Sequence, residues 1–256
     1  MIHSTAIVSN KADLADDVAV GPYAIVGDDV EIASGTQIDS HVVINGPTKI
    51  GRDNHIYQFA SIGDDPQDKK YANEPTRLII GDRNTIREFC TISRGTTQDR
   101  GETVVGDDNW IMAYVHIAHD CVVANKTIIA NNTTLAGHVH IGDWVICGGF
   151  SGVHQFCRIG AHAFLGMYAA VNRDVPAYTM VSGQPATPRG INSEGLKRRD
   201  FPADQIRNIK NAYRLTFRRG KKLSEAIEEI AGLCEEQPEL NLFLESLRSS
   251  ERGLVR

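Results

Sequence analysis

An aliphatic residue recurs at every sixth position over most of the first 171 residues of this chain. In the longest uninterrupted stretch the register runs through Val105, Ile111, Ile117, Val123, Ile129, Leu135, Ile141, Cys147, Val153, Ile159, Leu165 and Val171. A period of six fits neither the 3.6-residue period of a helix nor the two-residue alternation of a simple strand. It is typical of a parallel β-helix, in which each hexad supplies one short strand and one corner.

The same register occupies the N-terminal part of the chain, from Val8 to Ile62. Continuing it would place Asp68 and Glu74 in the interior, where an unpaired charge costs several kcal/mol. Residues 63–79 are therefore predicted to leave the repeat as a loop, and a second interruption at residues 93–104 is predicted to do the same.

Three hexads complete one triangular coil, so residues eighteen apart stack on one face, with about 4.8 Å between neighbouring coils. The hexads that begin at Ile117, Leu135 and Val153 lie on one face in three adjacent coils. They contain His119, His138 and His154, respectively. These three imidazoles are predicted to converge at one edge of the prism. Counting hexads backward places both loops at the exits of hexads on that same face, and loops on a rigid scaffold commonly carry function.

After Val171 the aliphatic register fails, and from about residue 192 the pattern becomes helical. The sequence predicts a mainly β chain with a β-helix over residues 1–190 and an α-helical domain over residues 191–256. The helical part contains a basic group formed by Lys197, Arg198, Arg199, Arg207, Lys210, Arg214, Arg218, Arg219, Lys221 and Lys222.

Composition narrows the function classes. The formal net charge is −5 and aromatic residues make up 7% of the chain, so neither bulk basicity nor stacking surfaces suggest a nucleic-acid partner. The N-terminus lacks a charged-then-apolar signal pattern, and no apolar run is long enough to span a membrane. These features predict a cytoplasmic location.

Several runs are far more specific than the repeat. HIYQFASIGDDPQDKKYANEPTR, HIAHDC, LAGHV, VHQFCRIGAH and NSEGLKRR closely resemble the UDP-N-acetylglucosamine O-acyltransferases that begin lipid A synthesis, and the resemblance covers essentially the whole chain. It implies a left-handed β-helix and a homotrimer with active sites between subunits. It also implies transfer of an (R)-3-hydroxyacyl chain from the phosphopantetheine thioester of acyl carrier protein to the sugar 3-hydroxyl, without a metal or other cofactor.

The resemblance assigns catalytic roles to three residues. A sugar hydroxyl attacks a thioester poorly until a base removes its proton, and histidine suits that task near neutral pH. His119 matches the family's base, Asp120 its orienting carboxylate, and Gly137 the backbone N–H that stabilises the oxyanion.

Substrate contacts are carried over in the same way, onto Gln67, Asp68, Lys70, His116, His138, His154, Gln155, Asn192, Glu194, Arg198 and Arg199. Met167 matches the position that ends the acyl groove, where longer-chain relatives carry glycine. Because methionine would close that groove, an acyl chain of about ten carbons is predicted.

Alternatives from other classes stay open on the residues alone. Zinc carbonic anhydrases share the left-handed β-helix, and His116, His119 and His138 could serve as zinc ligands. An N-acyltransferase of an amino sugar is a second possibility, although that family usually carries an added uridine-binding domain. A structural solenoid is a third, but it would not need the two charged loops.

Overall fold

The chain is a left-handed parallel β-helix followed by an α-helical segment, and the computed structural model describes all 256 residues. In chain order the strands are β1 (Ile7–Val8), β2 (Asp13–Leu14), β3 (Ala19–Val20), β4 (Ile25–Val26), β5 (Val30–Ile32), β6 (Gln37–Ile38), β7 (Val43–Ile44), β8 (Thr48–Ile50), β9 (His55–Ile56), β10 (Ser61–Asp64), β11 (Arg77–Ile80), β12 (Thr85–Ile86), β13 (Thr91–Ser93), β14 (Glu102–Val105), β15 (Trp110–Ile111), β16 (His116–Ile117), β17 (Val122–Val123), β18 (Ile128–Ile129), β19 (Thr134–Leu135), β20 (His140–Ile141), β21 (Ile146–Cys147), β22 (Gly152–Val153), β23 (Arg158–Ile159), β24 (Phe164–Leu165), β25 (Ala170–Val171), β26 (Thr179–Ser182) and β27 (Thr187–Ile191).

These strands form the three faces of a prism. The first face runs from β1 through every third strand to β25, the second from β2 to β23, and the third from β3 to β24 and then β26 and β27. Ile117 pairs with Leu135, and Leu135 pairs with Val153, so each regular coil takes eighteen residues. The aliphatic residues of the repeat point inward and form one continuous buried core. The predicted hexapeptide β-helix is confirmed.

Most corners are made by a residue in the left-handed region of backbone space, three places after an inward aliphatic residue. Asp120 has φ 59° and His138 has φ 63°. Such a conformation is uncommon for residues other than glycine, and asparagine, aspartate and histidine tolerate it better than most. The corner therefore turns each side chain out of the sheet, and it is at one such corner that the polar residues described below meet.

Two loops leave the first face. Thirty residues separate the paired Ile62 and Ile92, and twenty-five separate Ile92 and Ile117, instead of the regular eighteen. The extra residues follow β10 and β13, which belong to the same sheet as the strands before His119 and His138. The prediction that both loops leave the histidine-bearing face is confirmed.

The β-helix continues beyond the point where the sequence register fails. Val181 pairs with Leu165 after sixteen residues instead of eighteen, so the last coil is two residues shorter than the others. The shortening falls between Val171 and Val175, which are both buried in the core although only four residues separate them. A fixed period of six therefore loses the register after Val171, whereas the strands of the third face continue to Ile191.

An antiparallel hairpin closes the third face, since β26 pairs with β27 in the opposite direction. The helices follow as α1 (Ser193–Lys197), α2 (Ala203–Phe217), α3 (Leu223–Leu233) and α4 (Asn241–Arg248), with a 3₁₀ turn at Pro238–Leu240. They enclose a second apolar cluster that includes Tyr178 from the end of the prism. None of these helices combines the length and hydrophobicity that a membrane span requires.

Asp174 fastens the C-terminal residues to the prism. Its carboxylate is 2% exposed and accepts hydrogen bonds from the Ser250 hydroxyl at 2.8 Å and from the backbone N–H groups of Glu251 and Arg252 at 3.0 Å. We expect Asp174→Ala to lower the free energy of unfolding by about 3 kcal/mol, because three partly buried hydrogen bonds lose a buried charged acceptor. Urea denaturation measures this loss, and Asp16→Ala, at an exposed aspartate, is the matched control. Equal stability of the two variants would contradict the assignment.

Candidate active site

The candidate site lies at the corner between the first and second faces. His119 and Asp120 follow β16, and Gly137 and His138 follow β19, one coil further along. Because corner residues stack every eighteen positions, Gly137 lies against His119 and His138 lies above Asp120. The repeat therefore brings these four residues together.

His119 and Asp120 form a base and orienter pair. The Nδ1 atom of His119 lies 2.8 Å from Asp120 Oδ2, and the aspartate side chain is fully buried, whereas the histidine side chain is 14% exposed. A carboxylate only accepts hydrogen bonds, so Nδ1 carries the proton and Nε2 has a free lone pair. This arrangement is the one that a general base needs.

Asp120 forms hydrogen bonds with Thr96 of the loop at residues 94–101 and with Thr103 of β14. Thr96 donates its backbone N–H to Oδ1 at 2.9 Å and its hydroxyl to Oδ2 at 2.6 Å, and the Asp120 N–H donates to the Thr103 hydroxyl at 2.8 Å. Burial acts to raise the pKa of Asp120, but the hydrogen bonds from His119 and Thr96 outweigh it and keep that pKa below its ordinary value. The carboxylate therefore stays charged beside the imidazole.

Gly137 permits the close approach of the His119 ring. A Cβ atom at this position would lie 2.5 Å from His119 Cε1 and 2.7 Å from Nε2, which no side chain can occupy. The backbone N–H of Gly137 makes no hydrogen bond within the chain, although the residue is buried. A free donor thus lies beside the face of the proposed base.

His138 and His116 flank this pair. The His138 ring meets the His119 ring edge to face at a centroid distance of 5.0 Å, and its Nδ1 atom lies 2.7 Å from Asp99 Oδ2. His116 contacts the Thr91 hydroxyl through Nδ1 at 2.7 Å, and burial followed by the charge of His119 lowers its pKa. The structure therefore groups His116, His119 and His138.

His154 makes no ring contact with His119 or His138, so the convergence of all three imidazoles stays a prediction for the third ring. His154 stands one place after its inward residue, whereas His119 and His138 stand two and three places after theirs, and the His154 side chain is exposed. Its Nδ1 atom lies 3.2 Å from the Gln155 carbonyl and 3.4 Å from an Arg252 nitrogen. Gln155 is exposed beside it.

The loop between β10 and β11 carries the residues expected to contact the sugar, and it spans residues 65–76, within the predicted 63–79. Gln67 and Lys70 are exposed, and the carboxylate of Asp68 accepts the backbone N–H of Lys70 at 3.0 Å. Arg94 ties this loop to its neighbour, because the buried guanidinium donates to the Gly63 carbonyl at 2.6 Å and also pairs with Asp65. Arg94 thus joins the first loop to the second, which contacts Asp120 through Thr96.

Four residues expected to bind the nucleotide lie elsewhere. Asn192 caps α1 by accepting the Gly195 N–H at 3.1 Å and is itself buried, while Glu194 pairs with Lys197. Arg198 is exposed.

Arg199 packs over the Trp144 ring at 4.9 Å and donates to the Trp144 carbonyl at 2.9 Å. Trp144 is a corner residue between the second and third faces, away from the His119 corner. Asn192 and Arg199 therefore have structural contacts that the sequence did not reveal, and within one chain neither is beside His119.

The first face offers a trough that begins near His116. One outward column of this face runs from His116 to Thr134, Gly152 and Ala170, each paired with the next. The small side chains above the histidine leave a mostly apolar cavity of about 460 Å³ along the upper part of the column. Met167, with 64% of its surface exposed, lies three residues before Ala170 at the edge of the same coil.

Three ligand atoms at the site could hold a cation. Those of His119, Asp120 and His138 all lie within 4.8 Å of one another. This set differs from the three histidines considered for zinc, because His116 directs Nδ1 to Thr91. The Asp120 oxygens already accept two hydrogen bonds from Thr96, and His119 directs Nδ1 to the same carboxylate. This geometry fits an imidazole base held by a carboxylate better than a zinc site.

Sequence reasoning missed the residues of the second loop that hold the site: Arg94, Thr96, Asp99 and Thr103. The sequence feature that could have indicated them is the composition of residues 93–104. This segment is excluded from the repeat and combines threonine hydroxyls with charged side chains. Which of them reach the corner depends on how the loop folds back, and no periodicity encodes that path.

Comparisons with known proteins agree along the whole chain. The family described as Udp N-acetylglucosamine O-acyltransferase, Domain 2, matches residues 174–255, and the bacterial transferase hexapeptide family matches residues 102–137. A protein of Stutzerimonas stutzeri named acyl-[acyl-carrier-protein]–UDP-N-acetylglucosamine O-acyltransferase is 54% identical, over 100% of this chain and 99% of its own length. The protein of that name from Herminiimonas arsenicoxydans is 56% identical over the same shares.

Solved structures give the same result. The UDP-N-acetylglucosamine O-acyltransferase of Moraxella catarrhalis superimposes with a TM-score of 0.99 at 52% identity, and this comparison covers 100% of this chain and 99% of the other. The structure of the Acinetobacter baumannii relative gives a TM-score of 0.98 at 48% identity, with the same coverage.

Proposed function

Because this chain belongs to the family of acyl-[acyl-carrier-protein]–UDP-N-acetylglucosamine O-acyltransferases, we propose that it transfers a 3-hydroxyacyl chain from acyl carrier protein to the 3-hydroxyl of UDP-N-acetylglucosamine. This reaction is the first step of lipid A synthesis. The observation that carries the proposal is the His119–Asp120 pair beside the free N–H of Gly137, in a chain that matches the family from end to end.

The proposed reaction begins at the Nε2 atom of His119. This atom takes the proton from the sugar hydroxyl as the oxygen attacks the thioester carbonyl carbon, and Asp120 stabilises the imidazolium that forms. The carbonyl π electrons move to oxygen, and the Gly137 N–H donates to the resulting oxyanion. Collapse of the tetrahedral intermediate forms the ester and breaks the C–S bond, and His119 returns its proton to the departing thiolate. No acyl group is bound covalently to the enzyme.

We also propose that the protein acts as a homotrimer in the cytoplasm. Rings at the corner between the third and first faces stack along the prism and stay exposed, among them Tyr23, Phe59, Phe89 and Tyr114. An extended exposed aromatic surface is typical of a protein interface.

The test is an acyl-transfer assay with UDP-N-acetylglucosamine and carrier-linked 3-hydroxyacyl donors of graded length. The proposal expects an O-acylated sugar nucleotide that retains its N-acetyl group. Transfer to the nitrogen of an amino sugar would indicate the N-acyltransferase alternative. Carbon dioxide hydration that requires bound zinc would indicate the carbonic anhydrase alternative.

Acyl carrier protein is acidic in general, and a basic surface would accelerate its approach. Arg214 is exposed on α2, and Arg218 is exposed directly after the end of that helix. Arg218 borders a cavity of about 470 Å³ together with Arg189, Lys221 and Arg256. We expect charge reversal at Arg214 and Arg218 together to weaken carrier binding about tenfold and to reduce its salt dependence, with little effect on the affinity for the nucleotide sugar. Binding titrations at two ionic strengths measure both effects.

The matched control reverses Lys49 and Arg52, which lie on the prism far from α2 and change the net charge equally. If the two double variants have the same affinity for the carrier, Arg214 and Arg218 form only a solvated surface.

A further inference from the structure

Asp99 forms a second carboxylate–imidazole pair at the site. Its Oδ2 lies 2.7 Å from Nδ1 of His138, although thirty-nine residues separate the two in sequence. The His138 ring is 11% exposed and stacks on Phe156 at a centroid distance of 4.3 Å. Stacking fixes the plane of the ring, and the carboxylate fixes which edge of the ring faces the loop.

The contact with Asp99 determines the hydrogen-bonding role of the other ring nitrogen. Because a carboxylate only accepts hydrogen bonds, Nδ1 of His138 carries a proton, and Nε2 of the neutral ring is an acceptor. His119 has the same arrangement through Asp120. The site therefore contains two neighbouring imidazoles, each with a carboxylate on Nδ1 and with Nε2 left for a ligand.

One loop holds both carboxylate–imidazole pairs. Thr96 binds Asp120, which lies on the prism, and three residues later Asp99 binds His138 directly. The base of this loop is tight, because a Cβ atom at Gly95 would lie 2.2 Å from the Glu102 backbone nitrogen, and Gly101 has φ +71°. The position of this loop thus sets the orientation of both rings.

We propose that Asp99 is a positioning residue of the acyl transfer, which acts by holding His138 in the tautomer with a free Nε2 acceptor for a substrate hydroxyl. This inference rests on the proposed function. The cavity beside the pair has a volume of about 450 Å³ and is lined by Arg100, His140, Phe156 and Arg158 besides Asp99 and His138. It is polar, and Arg100 and Arg158 offer guanidinium donors for phosphate oxygens, while Asp99 and Glu251 balance their charge.

The first test is a double-mutant cycle on kcat/KM with Asp99→Asn and His138→Ala. An asparagine can donate its amide N–H to Nδ1 and so favours the opposite tautomer, which places the proton on Nε2. We expect Asp99→Asn to lower kcat/KM about tenfold to thirtyfold, mostly through a higher KM for the nucleotide sugar, as for other residues that orient a functional histidine. In the His138→Ala background the same change should have less than a twofold effect.

Asp99→Glu keeps the carboxylate and should restore part of the activity, and Thr97→Ala, at an exposed neighbour in the same loop, should leave it unchanged. An equal loss from Asp99→Asn with and without His138 would overturn the proposal.

The second test needs no substrate. The ¹⁵N chemical shifts of the His138 ring in the full-length protein report which nitrogen carries the proton. We expect Nδ1 to be protonated in the wild type and Nε2 in Asp99→Asn. The same tautomer in both proteins would overturn the proposal. An inactive wild type would instead contradict the proposed function and leave the tautomer result interpretable.

Discussion

His119→Ala should lower turnover at least a hundredfold while the protein keeps its fold and its assembly. The expected size follows from the loss of a positioned general base, which commonly costs two to four orders of magnitude. The fold should persist because the ring lies outside the aliphatic core, on a corner that the next coil supports through backbone hydrogen bonds. Steady-state rates at saturating donor and acceptor measure the loss, and the circular dichroism spectrum checks the fold.

His55→Ala is a matched control, because His55 also pairs with an aspartate, Asp39, at 3.2 Å. His55 belongs to β9 on the third face, far from the His119 corner. Its replacement should leave turnover unchanged. Turnover near the wild-type value in His119→Ala would show that another group accepts the proton.

Met167→Gly should shift donor preference from chains of about ten carbons toward chains of fourteen. Forty-eight residues separate Met167 from His119 in sequence, which at eighteen residues per coil is about 2.7 coils, or roughly 13 Å at the strand spacing. An extended chain advances roughly 1.25 Å per methylene, so this height fits about ten carbons. Four further carbons would have to displace the methionine, and overpacking costs about 1–3 kcal/mol, which corresponds to a preference of about tenfold to a hundredfold.

The trough above His116 strengthens this prediction. Gly152 and Ala170 provide room along the first face, and Met167 lies at the edge of the coil in which that column ends. The measurement is the ratio of kcat/KM for ten-carbon and fourteen-carbon donors in each variant.

Gln58→Gly, at the equivalent corner position five coils away, controls for the added backbone freedom of glycine. Unaltered selectivity in Met167→Gly, or a wild type that prefers fourteen carbons, would place the length limit elsewhere. The candidates are then Gln184, whose side chain donates to the Tyr168 carbonyl at 3.0 Å, and Pro185 beside the trough.

The sequence by itself determined the parallel β-helix. Each inward position, such as Ile117 or Leu135, has the same environment in every coil, so a local period of six specifies both the strands and their stacking. The same counting predicted that both loops leave the first face, because residue number in a stacked fold measures height along the axis. Helices at the C-terminus followed from a local change of period and from prolines, as at α2 after Pro202.

Counting residues in a period of six does not predict local departures from the repeat. The last coil is two residues short before Val175, so a period of six does not locate the strands that follow Val171. His154 and His138 stand one place and three places after an inward residue, and the six-residue period does not specify how far apart their rings lie.

Only the tertiary structure decided how the site is held together. Thr96 on Asp120 and Asp99 on His138 are contacts between a loop and the prism, and their geometry depends on the path of residues 94–101. Arg199 likewise stacks on Trp144 at another corner because the helical segment folds back on the prism. A repeating sequence encodes positions along the axis through local preferences, whereas contacts from non-repeating segments arise only when distant parts of the chain pack together.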